Sequence, residues 1–201
     1  GMPYSTSLLM IVVPKDSKVT NMKEFIQFVK TQKTTVSHAG IGSVYHVPSV
    51  ILADLLGAKD NVSYVPYESG TNAALAVAKK EVDWGSSGIA ESKAFIRDGL
   101  VRPIAMLMAD GYTLDGYGEI PPITNWIPDF KAGSNYFGIF IPKGVPDEVV
   151  KTVERIWAEN IAKSEALKKY AVSRGALFAP QFGEAAQKAV FPAVQANAWL
   201  L

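Results

Sequence analysis

The sequence predicts an α/β fold built on a mostly parallel sheet, and two observations carry this prediction. Short apolar runs typical of strands alternate with helical segments over residues 8–108. The connections between them are short, as in strand–helix–strand units whose parallel strands are covered on both faces. The chain has 201 residues, of which 48% are hydrophobic, so it is long enough to bury a sizeable core.

The predicted elements follow one another in a regular order. The first strand is the apolar run 8–13, which Pro14 ends, and a helix with one apolar face covers 21–31. The later elements of this series are strands at 34–37, 62–65, 82–84 and 102–108 and helices at 47–56, 72–80 and 89–97. Beyond them we predict an irregular connection over 110–133, a strand at 136–141 and helices from Pro146 onward.

Charge and composition exclude several classes of partner and site. The formal net charge is +1, without a basic stripe or an acidic tail, so neither nucleic acid nor an anionic membrane is an expected partner. Cysteine is absent, which removes disulfides, thiol catalysis and thiolate metal sites. His38 and His46 stand eight residues apart with no flanking carboxylate, which is a poor metal-ligand set. We therefore expect no metal and no cofactor.

Three segments of similar composition are predicted to form loops at one edge of the sheet. They are Gly40–Ser43, Tyr67–Thr71 and Gly85–Gly88, and each follows a strand and leads towards a helix. Glycines allow backbone N–H groups to approach a ligand, hydroxyl groups can donate to it, and helix N-termini add partial positive charge. The three loops together predict an anion site, although any one of them is equally typical of a simple turn or cap.

The first loop could also be considered for nucleotide binding or for serine catalysis. It lacks the Gly-Lys-Ser/Thr of a phosphate loop and the third glycine of the dinucleotide fingerprint, so nucleotide binding is disfavoured. A serine hydrolase that uses Ser43 and His46 remains a less favoured alternative, because no acidic residue visibly orients either histidine. The favoured role of both histidines is to close the turn or cap the helix.

Proline and aromatic residues refine the geometry of this edge. Pro48 must lie in the first turn of its helix, so the helix cannot begin much before Tyr45. Tyr45, Tyr67 and Trp84 are candidates to line a cleft, and for Trp84 packing in the core is preferred.

Four segments occur in order along nearly the whole chain: GIGSVYH, YVPYESGTNAALAVAKKEVD, DGLVRPIAML and IFIPKGVPDEVV. This set resembles the periplasmic solute receptors of tripartite tricarboxylate transporters, the Bug or TctC-like family. The sequence departs from the family pattern at Lys80, where glycine is common, in PPITNW and at Val145. These departures leave the identity of the ligand open.

The resemblance implies a periplasmic-binding-protein-like, Venus-flytrap α/β fold that holds a carboxylate between two lobes. It implies a periplasmic receptor that performs no catalysis and delivers a di- or tricarboxylate, or a related organic acid, to the membrane subunits of the transporter. By motif, and with Tyr45 added as a cleft residue, the expected ligand-binding residues are Gly40, Gly42, Ser43, Tyr45, His46, Tyr67, Ser69, Gly70, Thr71, Ser86 and Ser87. A ligand-sensing domain of a regulatory protein is the alternative of another class.

The resemblance also divides the chain. Residues 14–131 are expected to form one complete, mostly parallel-sheet lobe that bears the ligand-binding loops. Residues 1–13 and 132–201 are expected to supply crossing strands and C-terminal helices of an incomplete second lobe. Family members carry a signal peptide and a Gly-rich loop on that lobe, which this sequence does not contain. We therefore expect a shortened chain with weak ligand binding and with exposed apolar surface that favours self-association.

Overall fold

The computed structural model describes residues 2–132, 136–174 and 176–198. Its strands are β1 (Met2–Ser7), β2 (Leu9–Pro14), β3 (Thr34–Ala39), β4 (Val62–Tyr67), β5 (Trp84–Gly88), β6 (Val101–Met106), β7 (Tyr112–Leu114), β8 (Gly118–Ile120), β9 (Tyr136–Ile139) and β10 (Ala176–Phe178). Its helices are α1 (Met22–Thr31), α2 (His46–Leu55), α3 (Gly70–Ala78), α4 (Ile89–Arg97), α5 (Asp147–Ile156), α6 (Glu165–Ser173) and α7 (Gly183–Ala198). The chain divides into a larger unit, Leu8–Ala132, and a smaller one, Gly1–Ser7 with Gly133–Leu201.

A five-stranded sheet organises the larger unit, in the order β4-β3-β5-β2-β6. Strand β3 runs parallel to both β4 and β5, whereas β2 runs antiparallel to its neighbours β5 and β6. Four strands therefore share one direction and β2 opposes them, which confirms the predicted mostly parallel α/β sheet.

Two apolar clusters cover the faces of this sheet. Helices α1 and α2 pack on one face, where Phe25 contacts Trp84 edge to face at 5.0 Å between ring centroids. Helices α3 and α4 pack on the other face, around Val12 and Val77. Trp84 is 1% exposed and its indole N–H donates to the Thr34 hydroxyl group, so its predicted place in the core is confirmed.

The first strand of the series lies elsewhere than predicted. The division implied by the resemblance groups residues 8–13 with the second lobe and begins the larger lobe at Pro14. In the structure, β2 occupies the interior of the larger unit's sheet, and the two units separate between Ser7 and Leu8. The physical reason is that this run is apolar at successive positions, so both of its faces must be buried. The identity of the two units as a complete and an incomplete lobe stays a prediction.

The connection predicted over 110–133 is more ordered than its sequence indicates. Strands β7 and β8 form an antiparallel hairpin, and a 3₁₀ turn follows at Ile123–Asn125. Ile120, Ile123 and Phe130 are buried. Three-residue strands are too short for a period to be visible in the sequence, and the apolar residues after them are spaced irregularly.

The smaller unit contains an antiparallel sheet in the order β10-β1-β9, together with α5, α6 and α7. The resemblance implies crossing strands within residues 1–13, but the local pattern does not show β1, because its sequence MPYSTS contains no apolar run. Its Met2 and Ser5 are nevertheless buried. Long-range pairing, and not local composition, creates this strand.

Candidate functional site

The three segments predicted from composition lie at one edge of the larger unit's sheet. The first segment follows β3, the second begins at the last residue of β4, and the third is the carboxyl end of β5 itself; they lead into α2, α3 and α4. This is the edge at which open α/β sheets bind ligands. Tyr45 lies two residues after the first segment, and its hydroxyl group donates to Glu91 on α4, beside glycines of the second and third segments. All three segments therefore meet.

The first segment is a loop held by its own side chains. Gly40 and Gly42 have φ angles of 76° and 72°, in the left-handed region that favours glycine. The Ser43 hydroxyl oxygen accepts from the backbone N–H groups of Tyr45 at 3.2 Å and His46 at 3.3 Å. Ser43 therefore closes the turn that leads into α2, and its hydroxyl proton is left to donate to another acceptor. Helix α2 begins at His46 with Pro48 in its first turn, as predicted.

The two histidines stack against each other, with ring centroids 4.3 Å apart. His38 Nδ1 lies 2.9 Å from the Gly40 carbonyl oxygen, which can only accept, so Nδ1 carries the proton and Nε2 presents a lone pair. His46 Nδ1 accepts from the Gly42 backbone N–H at 2.9 Å, so its own proton is on Nε2. Burial lowers the pKa of both histidines, and His38 lowers that of His46 further. Both rings are therefore neutral at pH 7 and bring no positive charge to an anion.

The neutral histidine pair makes stability depend on pH. Both folded-state pKa values lie below the ordinary value of 6.5, so as the pH falls the unfolded chain binds protons first. The stabilisation is complete above 6.5 and is lost as the pH falls through the folded-state pKa values. We expect the free energy of unfolding, measured by urea denaturation, to decrease between about pH 7 and about pH 5.5. In the double variant His38→Asn/His46→Asn, the free energy of unfolding should depend less steeply on pH. If its pH dependence is as steep as that of the parent chain, the histidine pair is not the cause.

The second segment brings a helix cap and a glycine to the place where the three segments meet, but it does not bring the Tyr67 hydroxyl group there. The Ser69 hydroxyl oxygen accepts from the backbone N–H of Asn72 at 3.1 Å, and Gly70 is the first residue of α3. Thr71 follows it and is exposed. The Tyr67 hydroxyl group lies 3.4 Å from Glu81, beyond the carboxyl end of α3, and thus away from the helix start. The structure does not bring this predicted ligand-binding hydroxyl group to the junction.

The third segment is a strand and not the predicted loop. Residues 85–88 belong to β5 because they pair antiparallel with Leu9–Val12 of β2. The side chains of Ser86 and Ser87 point to opposite faces of the sheet, as in any strand. The Ser87 hydroxyl group is bonded to that of Ser92 at 2.6 Å. The Ser86 hydroxyl group is buried and has no hydrogen-bond partner in the described part of the chain, so it is the better candidate of the two.

Glu91, which sequence reasoning missed, lies where the three segments meet. The Tyr45 hydroxyl group donates to Glu91 Oε1 at 2.5 Å. A Cβ atom added at Gly70 would lie 2.9 Å from Oε1, and one added at Gly88 would collide with Oε2. The two glycines therefore leave the room that this carboxylate occupies. An acidic residue in the first turn of a helix is common, so nothing in the sequence distinguished Glu91.

The geometry disfavours the hydrolase alternative. The Ser43 hydroxyl oxygen accepts from backbone N–H groups, and His46 Nδ1 is occupied by the Gly42 backbone N–H. Over residues 2–132, 136–174 and 176–198, no hydrogen bond joins the Ser43 hydroxyl group to the His46 ring. The same residues contain no group of three His, Cys, Asp or Glu side chains that could hold a metal ion. None of the helices described is long and apolar enough to cross a membrane.

Known proteins share this architecture. A solute-binding TctC protein from Polaromonas has a TM-score of 0.80 and 21% identity, covering 98% of this chain and 66% of that one. Rpa4515 of R. palustris, solved with adipate, has a TM-score of 0.77 and 19% identity, covering 99% and 65% respectively. This chain thus spans about two thirds of the length of these structures, and at such identities the likeness shows the fold alone. The predicted periplasmic-binding-protein-like fold is confirmed.

Sequence comparison identifies the family directly. A protein of Pseudomonas knackmussii, named UPF0065 protein in clcB-clcD intergenic region, is 29% identical over 133 residues, 65% of this chain and 72% of the relative. The model of the TctC family, described as tripartite tricarboxylate transporter family receptor, matches residues 2–198. The resemblance found in the four sequence segments is thereby confirmed, and the chain belongs to the tripartite tricarboxylate transporter receptor family.

Proposed function

We propose that this chain acts as a periplasmic receptor, capturing a small organic acid for the membrane subunits of a tripartite tricarboxylate transporter without covalent chemistry. The observation that carries the proposal is the junction of three ligand-suited segments at the carboxyl edge of one sheet, joined through Tyr45 and Glu91. Two proteins of the same fold support the ligand class, because Rpa4515 was solved with adipate and MatC of Rhodopseudomonas palustris with malate.

In this proposal, the hydroxyl groups of Ser43 and Ser69 bind the ligand carboxylate. Each hydroxyl oxygen already accepts from the start of a helix, so its proton is directed to another acceptor. The other proposed ligand-binding residues are Gly40, Gly42, Tyr45, His46, Gly70, Thr71 and Ser86. Hydrogen bonds to a charged acceptor contribute more than those between neutral groups.

Removal of the Ser43 hydroxyl group tests this proposal. Ser43→Ala should lose a donor to the ligand carboxylate and weaken binding of organic acids at least about tenfold. It should also destabilise the start of α2 by about 1 kcal/mol, because the turn that leads into this helix loses the hydrogen bonds to the hydroxyl oxygen. Titration of the ¹⁵N-labelled chain with adipate and malate, followed by NMR, measures binding even at millimolar affinity and locates it at residues 40–46 and 69–71.

A matched variant separates ligand binding from stability. Ser164 caps α6 in the smaller unit, and its hydroxyl oxygen also accepts from a backbone N–H group, that of Leu167 at 3.2 Å. Ser164→Ala should therefore cost a similar amount of stability and leave ligand affinity unchanged. If neither organic acids nor amino acids shift the resonances of these loops, or if Ser43→Ala binds as tightly as the parent, the proposed function is wrong.

A further inference from the structure

The junction of the three segments contains a carboxylate that belongs to this chain. Glu91 lies in the first turn of α4, and its side chain reaches the first residue of α3, Gly70. In the part of the chain that the structure describes, Glu91 has no ion-pair partner, and it accepts a hydrogen bond from Tyr45. Its charge is therefore balanced only by helix N-termini and a hydroxyl group. A positively charged ligand group would complement this carboxylate.

Two buried polar groups on β3 and β5 also lack partners. His38 Nε2 and the Ser86 hydroxyl group are buried and have no hydrogen-bond partner among the described residues. Strands β3 and β5 pair Val36 with Trp84 and Ser37 with Gly85, so His38 and Ser86 are the next residue along each strand. Because His38 Nδ1 carries the proton, Nε2 can only accept. A buried acceptor without a partner is costly, and a ligand group that brings an N–H donor would satisfy His38 Nε2, while the Ser86 hydroxyl group can accept from a ligand or donate to it.

We propose that Glu91 determines ligand specificity by pairing with a protonated amine, so that the ligand is an amino acid or amino dicarboxylate. This inference rests on the proposed function, since it assumes that an organic acid binds at the same edge. The ligand carboxylate binds the hydroxyl groups of Ser43 and Ser69, and the ammonium group binds Glu91. A plain dicarboxylate would bring a like charge close to the half-buried Glu91 carboxylate, which is unfavourable.

Matched ligand pairs test the role of Glu91. Aspartate differs from malate by an ammonium group in place of a hydroxyl group, and 2-aminoadipate differs from adipate by an added ammonium group. We expect the parent chain to bind each amino compound at least about tenfold more tightly than its partner in NMR titrations. Glu91→Gln retains the side-chain shape and an acceptor for Tyr45 but removes the charge. This variant should lose the preference, because it binds the amino compounds more weakly and the plain dicarboxylates more tightly than the parent does.

A second glutamine variant controls for general loss of charge. Glu81 accepts from the Tyr67 hydroxyl group at 3.4 Å, beyond the carboxyl end of α3, so Glu81→Gln should keep the parent's preference. If the parent binds malate and adipate as tightly as their amino partners, or if Glu91→Gln keeps the parent's preference, the role of Glu91 is overturned while the proposed function stands. If none of the four acids binds, both proposals fail.

Discussion

Gly138→Ala is expected to destabilise the smaller unit by about 3 kcal/mol. Gly138 of β9 pairs with Pro3 of β1, and the two backbones approach very closely there. An added Cβ atom would lie 2.5 Å from Pro3 Cα and 2.8 Å from the Met2 carbonyl carbon, with the carbonyl oxygen closer still. Backbone atoms cannot rotate away as a side chain can, so the two strands must separate. Urea denaturation gives the loss of stability, and faster amide hydrogen exchange in β1 and β9 locates it.

A second glycine distinguishes this collision from ordinary backbone strain. Gly116 has a φ angle of 79°, and a Cβ atom added there would meet no heavy atom within 4 Å. Gly116→Ala should therefore lower the free energy of unfolding by only about 1 kcal/mol, which is the cost of holding alanine in the left-handed conformation. If Gly138→Ala costs no more than Gly116→Ala, the close approach of β1 and β9 is not as tight as the structure shows.

Phe25→Ala is expected to lower the free energy of unfolding by between about 3 and about 5 kcal/mol. Phe25 is fully buried between α1 and the sheet, and its ring meets that of Trp84 edge to face at 5.0 Å. The substitution removes the ring contact and leaves a cavity in the cluster under α1 and α2, which the surrounding helices and strands fill only partly. Urea denaturation measures the loss.

Phe28 supplies the matched control, because it lies on the same helix and is only partly buried against the same cluster. Phe28→Ala should cost clearly less than Phe25→Ala, since much of its ring remains in water in both states. Equal losses for the two variants would contradict the assignment of Phe25 to the centre of this cluster.

The predicted series of strands and helices is largely confirmed wherever a local period is present. Amphipathic α1 and the buried runs of β2, β3 and β6 are visible because burial on one or both faces dictates residue type at every position. The failures occur where pairing partners are distant in sequence. Strand β5 reads as a loop because Gly85–Gly88 is glycine- and serine-rich, and only its pairing with β2 makes it a strand.

One departure from the family pattern has a structural meaning. Lys80, where the family commonly has glycine, has a φ angle of 63° and is the one non-glycine residue with positive φ among the described residues. This conformation explains why glycine suits the position. Here Lys80 forms an ion pair with Asp16 instead, which lowers the pKa of that carboxyl group.

The family, the α/β class and the edge at which a ligand is expected to bind can all be predicted from the sequence. These follow from residue types at fixed spacings along the chain. The groups that meet at that edge are visible only in the folded chain. Tyr45 and Glu91 are 46 positions apart, and the room for the carboxylate comes from Gly70 and Gly88 on two further segments. No local pattern encodes such a meeting, because it depends on the order and register of strands that the chain brings together from a distance.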